Sequence, residues 1–140
     1  SLNGSQQGAT NTLTISNIDE IYKRIVTVPA SEVEILAFST AVTTGTFIES
    51  DVLYIRITNK DDTNHVGLIF KNENDDEFGV KLDKGQSFIY NGDLAGGVVD
   101  TMDAQDGGAD LAADTFADLV NITATANTAA CDIEIFVACK

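Results

Sequence analysis

The chain has 140 residues, 44% of them hydrophobic and 21% charged, and its 22 acidic residues against 8 Lys and Arg give a net charge of −14. A chain of this length suits one domain that hides roughly two-thirds of its unfolded surface, so a core can form without disulfides or metal, and wholesale disorder is excluded. The basic residues stand singly or in the one pair Lys23-Arg24, which disfavours nucleic acid and anionic membrane surfaces as partners, because both call for clustered Lys and Arg.

Residues 1–9 are polar, Gly-rich and without period, and are expected to form an N-terminal arm that is flexible or ordered by a partner. Ser1 to Gly8 has neither the basic start nor the apolar core of a signal peptide. No stretch approaches the ~20 apolar residues of a membrane-spanning helix. From residue 10 to 140 a single domain is expected, and period-two alternation runs through most of it. Leu13 and Ile15 alternate with Thr12, Thr14 and Ser16, and residues 21–28 form a second run closed by Pro29, the only proline. Residues 33–40 place Val33, Ile35 and Ala37 on one face and Leu36 and Phe38 on the other. In residues 52–59 Leu53, Ile55 and Ile57 share a face opposite Tyr54, Arg56 and Thr58.

Asn59 to Asn64 is a polar turn whose Asn and Asp side chains can bond their own backbone. Val66, Leu68 and Phe70 form the next inward face, Asn72 to Glu77 the next turn, and Phe78, Val80 and Leu82 the face after it. Asp83-Lys84-Gly85 then turns the chain into Ser87 to Tyr90, so that two successive hairpins joined by acidic turns are expected. Residues 91–114, rich in Asp, Gly and Ala, break the rhythm. They read as a long loop, or as a lead into a short helix over Leu111 to Leu119. Two runs follow, 119–125 and 131–139, the latter with Cys131, Ile133, Ile135, Val137 and Cys139 facing opposite Asp132, Glu134 and Phe136. The expected fold is all-β: an antiparallel β-sandwich, jelly-roll-like, of about eight or nine strands, with a closed β-barrel as runner-up.

Little in the chain points to catalysis. His65 is the only histidine, so zinc sites built on two or three histidines are impossible, and no Cys-x-x-Cys pair replaces them. No Gly-x-Ser-x-Gly elbow accompanies His65, and Lys84-Gly85-Gln86-Ser87 lacks the upstream glycine of a phosphate-binding loop. Carboxylate pairs for glycoside hydrolysis will arise by chance among 22 acids, but no Trp and only Tyr22, Tyr54 and Tyr90 are available as sugar platforms. Calcium is the remaining metal to weigh: residues 72–77 and 100–114 offer hard oxygen ligands, yet Glu77 stands where an EF-hand needs glycine. Solvated turns are the plain reading, and adventitious calcium at 100–114 the sharper one. Asn3-Gly4-Ser5 and Asn121-Ile122-Thr123 read as chance matches to the glycosylation sequon. Cys131 and Cys139 lie eight residues apart in one strand, roughly 25 Å and too far to bridge, so both are expected buried and reduced. No catalytic, cofactor-binding or metal-binding residue is assigned.

Leu53 to Asn59, Gly67-Leu68-Ile69-Phe70, Val80-Lys81-Leu82, Gly85-Gln86-Ser87-Phe88 and the ending Thr128 to Ala138 together are similar to small virion structural proteins of marine and cyanobacterial tailed bacteriophages. The resemblance covers roughly residues 50–91 and 115–140 and consists of strand residues rather than catalytic signatures. It implies a non-enzymatic capsid decoration (cement) protein on the outside of a phage head, with a head-fibre or tail component as the nearest alternative. The implied partners are the major capsid protein or other virion structural proteins and further copies of the chain, trimers among the arrangements, and the implied location is the virion, after synthesis in the host cytoplasm. An adhesion or glycan-binding module is the rival from another class, and a small hydrolase using Asp or Glu pairs the third.

Overall fold

The computed structural model describes residue 15 and residues 18–91, 100–102 and 116–140. The expected N-terminal arm, the alternation at 12–16 apart from Ile15, and most of the Asp/Gly/Ala-rich stretch, with its calcium candidate, lie outside the described residues. Ten strands are present among the described residues: β1 (Glu20–Val28), β2 (Val33–Ser39), β3 (Phe47–Ile48), β4 (Val52–Asn59), β5 (Val66–Asn72), β6 (Glu77–Leu82), β7 (Ser87–Asn91), β8 (Asp100–Met102), β9 (Phe116–Ala126) and β10 (Cys131–Cys139). One sheet has the order β1-β10-β4-β7, the other β3-β2-β9-β5-β6 with β8 against β9. The sheets face each other and do not close into a barrel.

The pairing is nested. β1 pairs with β10, β2 with β9, β4 with β7 and β5 with β6, all antiparallel. The β10–β4 ladder then joins two of these pairs in one sheet, and the β9–β5 ladder joins the other two in the second. Such a rolled antiparallel hairpin is a jelly roll. One expectation is corrected by it. Of the successive hairpins anticipated along residues 52–90, only β5–β6 is one; the turns after β4 and β6 carry the chain from one sheet to the other. A hairpin and an arch between sheets leave the same inward-facing parity on both flanking strands, so alternation does not separate them.

Two further corrections are local. β9 is extended from Phe116, so a helix reaching Leu119 is not formed; Leu119 pairs with Asn72 and is fully buried. In β2 the register shifts between Glu34 and Leu36, a bulge that buries Ile35 and Leu36 together and places Val33 on the side of Leu36 and Phe38.

Between the sheets, Ile55, Ile57, Ile133 and Ile135 meet Leu68, Phe70, Leu119 and Ile122, all at most 1% exposed. Cys131 and Cys139 belong to this interior and are free thiols. Burial pushes the Cys139 thiol up to about 11, helped by the carboxylates of Glu20 and Asp51. Aromatic rings close both open sides of the sandwich. Phe70 stacks on Phe78 at 4.7 Å and touches Phe88 at 5.0 Å, tying β5 and β6 to β7 across the gap. On the opposite side Phe47 meets Tyr22 edge-on at 5.2 Å and Phe38 at 6.3 Å.

The arch from β4 to β5 is built by side chains the sequence marks out. Asn59 is fully buried. Its Nδ2 donates to the carbonyls of Asn64 (2.9 Å) and Leu82 (3.1 Å), and its Oδ1 accepts from the Asp61 N–H (2.9 Å). Asp61 in turn accepts from the N–H groups of Thr63 and Asn64. Those two bonds, the Asn64 one first, hold its carboxyl below the usual carboxylate range. At the β5–β6 turn the Asn72 Oδ1 accepts from the Asn74 and Asp76 N–H groups, while its buried Nδ2 makes no hydrogen bond, and Asp75 takes a left-handed φ of 66° there, a conformation Asp tolerates.

Asn59→Ala strands the Leu82 carbonyl and frees the arch, and is expected to cost about 3 kcal/mol, read as a lower urea midpoint with an unchanged slope. Because its folded pKa is depressed, Asp61 contributes stability that is complete above the ordinary value of 3.8 and is lost as pH falls through the lowered one. Wild type should therefore exceed Asp61→Asn in stability at neutral pH and converge with it in acid.

Candidate interaction surface

The residues weighed for chemistry are dispersed. His65 is half-buried at the start of β5, where its carbonyl accepts the Asn127 N–H at 3.0 Å. The acidic run 72–77 is a hairpin turn in which Asp75 pairs with Lys71 at 3.2 Å. No three His, Cys, Asp or Glu side chains converge as metal ligands among the described residues. A cleft of about 320 Å³ beside Tyr22 and Phe47 contains Arg24 and Glu34. Arg24 lies over the Tyr22 ring at 5.6 Å, with Nη2 3.5 Å from the Ile35 carbonyl. This inward-turned cation on an edge strand guards the open side of the sandwich.

The unusual feature is the outer face of the sheet β1-β10-β4-β7. Outward side chains fall into cross-strand rows: Ile21, Ala138, Tyr54 and Asn91; then Lys23, Phe136, Arg56 and Ile89; then Ile25, Glu134, Thr58 and Ser87; then Thr27 and Asp132. The first two rows are mainly apolar and aromatic. Tyr54 meets Phe136 edge-on at 6.0 Å, and Arg56 lies over Phe136 at 5.0 Å while reaching Glu134 at 3.6 Å. The later rows are polar apart from Ile25, with Thr58 and Ser87 hydroxyls 2.7 Å apart and Thr27 donating to Asp132 at 2.6 Å.

Ile21, Ile25 and Ile89 are 64%, 62% and 51% exposed. Ile15 and Ile18 join Ile21, Tyr54 and Phe136 around a groove of about 450 Å³ on this face. Three large β-branched side chains held half out of water on one sheet, beside two rings, make this face the candidate interaction surface.

The other sheet's outer face differs in kind. Its rows hold Asn121 with Lys71 and Glu77, Thr123 with Ile69 and Gly79, and Thr125 with Gly67 and Lys81. Asn121 and Thr123 donate to Glu34 (3.2 Å) and Glu32 (2.7 Å). That face is polar, small-grained and already hydrogen-bonded, which leaves little free energy to gain by covering it.

Alternation alone places Tyr54, Arg56 and Phe136 away from the core. It does not bring Ile21, Ile25 and Ile89 beside them, since that requires β1 and β7 to flank the same two strands. The one hint in the sequence is β1 itself, where Ile21 and Ile25 alternate with Tyr22 and Val26 so that both faces carry apolar side chains.

No family model matches the chain, and no curated protein does. Among solved structures, a Bacillus chain described as "Bacillus endospore appendages form a novel family of disulfide-linked pili" is similar over 93% of this chain and 98% of its own, at 12% identity and a TM-score of 0.41. A likeness that slight bears on neither fold nor function.

Replacing Ile21 and Ile89 with Ser removes exposed apolar area without opening the core. The melting midpoint should stay within the roughly 0.5 kcal/mol typical of surface changes, while fluorescence of an uncharged apolar dye added to the native protein falls.

Proposed function

We propose that this chain is a non-enzymatic structural subunit, a capsid decoration (cement) protein carried on the outer surface of a tailed-phage head. The observation that carries the reading is the apolar, aromatic outer face of β1-β10-β4-β7, set on a body whose inner space is filled by packed Ile, Leu, Val and Phe. Work done through such a surface is assembly work. A jelly roll by itself implies no function; what favours a virion is the resemblance of residues 50–91 and 115–140 to small virion proteins, together with charge. A subunit of −14 is repelled by packaged DNA and suits the outside of a shell. Repetition on a symmetric lattice lets contacts that are weak singly hold by avidity.

The glycan-binding alternative fits the face less well. Tyr54 and Phe136 stand nearly perpendicular, at 81°, and the Arg56 guanidinium covers the Phe136 ring, so neither offers the open flat platform on which a sugar stacks.

The test is rebinding to particles stripped of the protein. Saturable recovery on the particle surface is expected, persisting at high salt because the contact is mainly apolar. Failure to rebind at any salt concentration would remove the virion reading.

A further inference from the structure

The exposed isoleucines share their face with the root of the N-terminal segment. Just before β1 the Asp19 N–H donates to the Cys139 carbonyl at 2.9 Å, which fixes the chain beside β10. Ahead of that anchor, Ile18 and Ile15 are half-buried and line one groove with Ile21, Tyr54, Arg56 and Phe136. Ile15 therefore shares its groove with side chains of β10 and β4, the two middle strands of the sheet. What precedes it is distinctive. Ser1 to Ile18 carry no charged side chain, the longest such run in a chain of −14. Leu13 has the parity of Ile15, with Thr12, Thr14 and Ser16 opposite, so an extended segment that seats Ile15 seats Leu13 as well and turns its threonines to water.

We propose that residues 10–14 form a strap across the outer face of β1-β10-β4-β7 in the free subunit, with Leu13 against Ile89, and that docking displaces it. Two residues at ~3.3 Å carry Leu13 about 7 Å beyond Ile15, enough to cross the ~4.8 Å from β4 to β7. Ile89 stands there 51% exposed. This deepens the assembly reading above by regulating its surface. The cover itself stands on the groove and the sequence pattern; only its displacement by the shell rests on that reading.

Strap and shell compete for the same side chains, so the free subunit shows water a row of threonines where the docked one is covered by its partner. The competition is light. Burying one Leu gains about as much as ordering its few neighbours loses. The covered state is therefore only modestly preferred, and a partner that buries the whole face displaces it. Lack of charge suits the task. An acidic segment would be repelled by a chain of −14, whereas an uncharged one settles on an apolar face without that cost.

Disulfide trapping in the whole chain, with diamide as the oxidant, tests the strap. Leu13→Cys with Ile89→Cys is compared with Thr12→Cys with Ile89→Cys, which has nearly the same reach and the opposite parity. Cys131 and Cys139 add little background, because burial, aided by nearby carboxylates, holds both thiols above their ordinary range. A bridge within one chain is expected to form about tenfold faster for the Leu13 pair, whose thiol is seated rather than merely tethered. Leu13→Asn should roughly double the fluorescence of an uncharged apolar dye and rebind stripped particles severalfold more tightly, with the melting temperature unchanged. Equal bridging rates, a bridge between chains, or unchanged dye fluorescence would each overturn the strap. Weaker rebinding by Leu13→Asn would overturn it too, since the segment would then belong to the shell contact. If the Leu13 pair bridges and the dye signal rises, yet neither wild type nor Leu13→Asn rebinds particles, the cover stands and the virion reading falls.

Discussion

The fold depends on one buried amide. Strand β4 ends at Asn59 in one sheet, and the chain must begin β5 in the other within a few residues. Turning between sheets takes backbone groups out of both ladders, and in a low-dielectric interior each must find a partner. Asn59 supplies three of them through its side chain, two carbonyls and one N–H. Its own N–H and carbonyl pair with Gln86 and Gly85 at the β6–β7 arch. The two crossings from sheet to sheet are thus tied together at a single residue. Gly85 takes a φ of +73° there, a conformation that favours glycine.

Once those arches are fixed, the nested pairing follows and the interior fills. Phe70 seals one side of the sandwich and Phe47 the other, so the described core is closed by rings where a two-sheet structure would otherwise be open. The consequence for function is direct. Side chains that alternate inward are consumed by packing, and those that alternate outward are what the molecule presents. On the sheet β3-β2-β9-β5-β6 they are largely Thr, Gly, Asn, Lys and Glu, engaged with one another. On the sheet β1-β10-β4-β7 they include Ile21, Ile25, Ile89, Tyr54 and Phe136, engaged only in part.

Among the described residues, many of the acids fall into two groups. Asp61 and Asp75 lie in turns, where the Asp61 carboxylate accepts backbone N–H groups and Asp75 takes a left-handed conformation. Those acids are architectural. Others, including Glu32 and Glu34, decorate the polar sheet face and accept from its Thr and Asn side chains. Both groups leave the apolar face comparatively free of negative charge, which separates where the chain repels from where it can be approached.

Period-two alternation by itself determined the longer strands, the inward set of β4, β5, β6 and β10, and the polar turns built by Asn59, Asp61 and Asn72, because side-chain direction in a strand and Asx bonding in a turn are local properties; the short strands β3 and β8, the latter inside a stretch that reads as a loop, carry too few residues to show a period. It also placed Cys131 and Cys139 on one buried face, unable to bridge. Tertiary structure alone decided that the turns after β4 and β6 cross between sheets, that β2 bulges at Ile35, and that β9 extends from Phe116 where the sequence also admits a short helix. It alone brought Ile21 and Ile89, 68 positions apart in the sequence, onto one face with Phe136. Which strand lies beside which is set by contacts between residues distant along the chain, and local alternation carries no record of them.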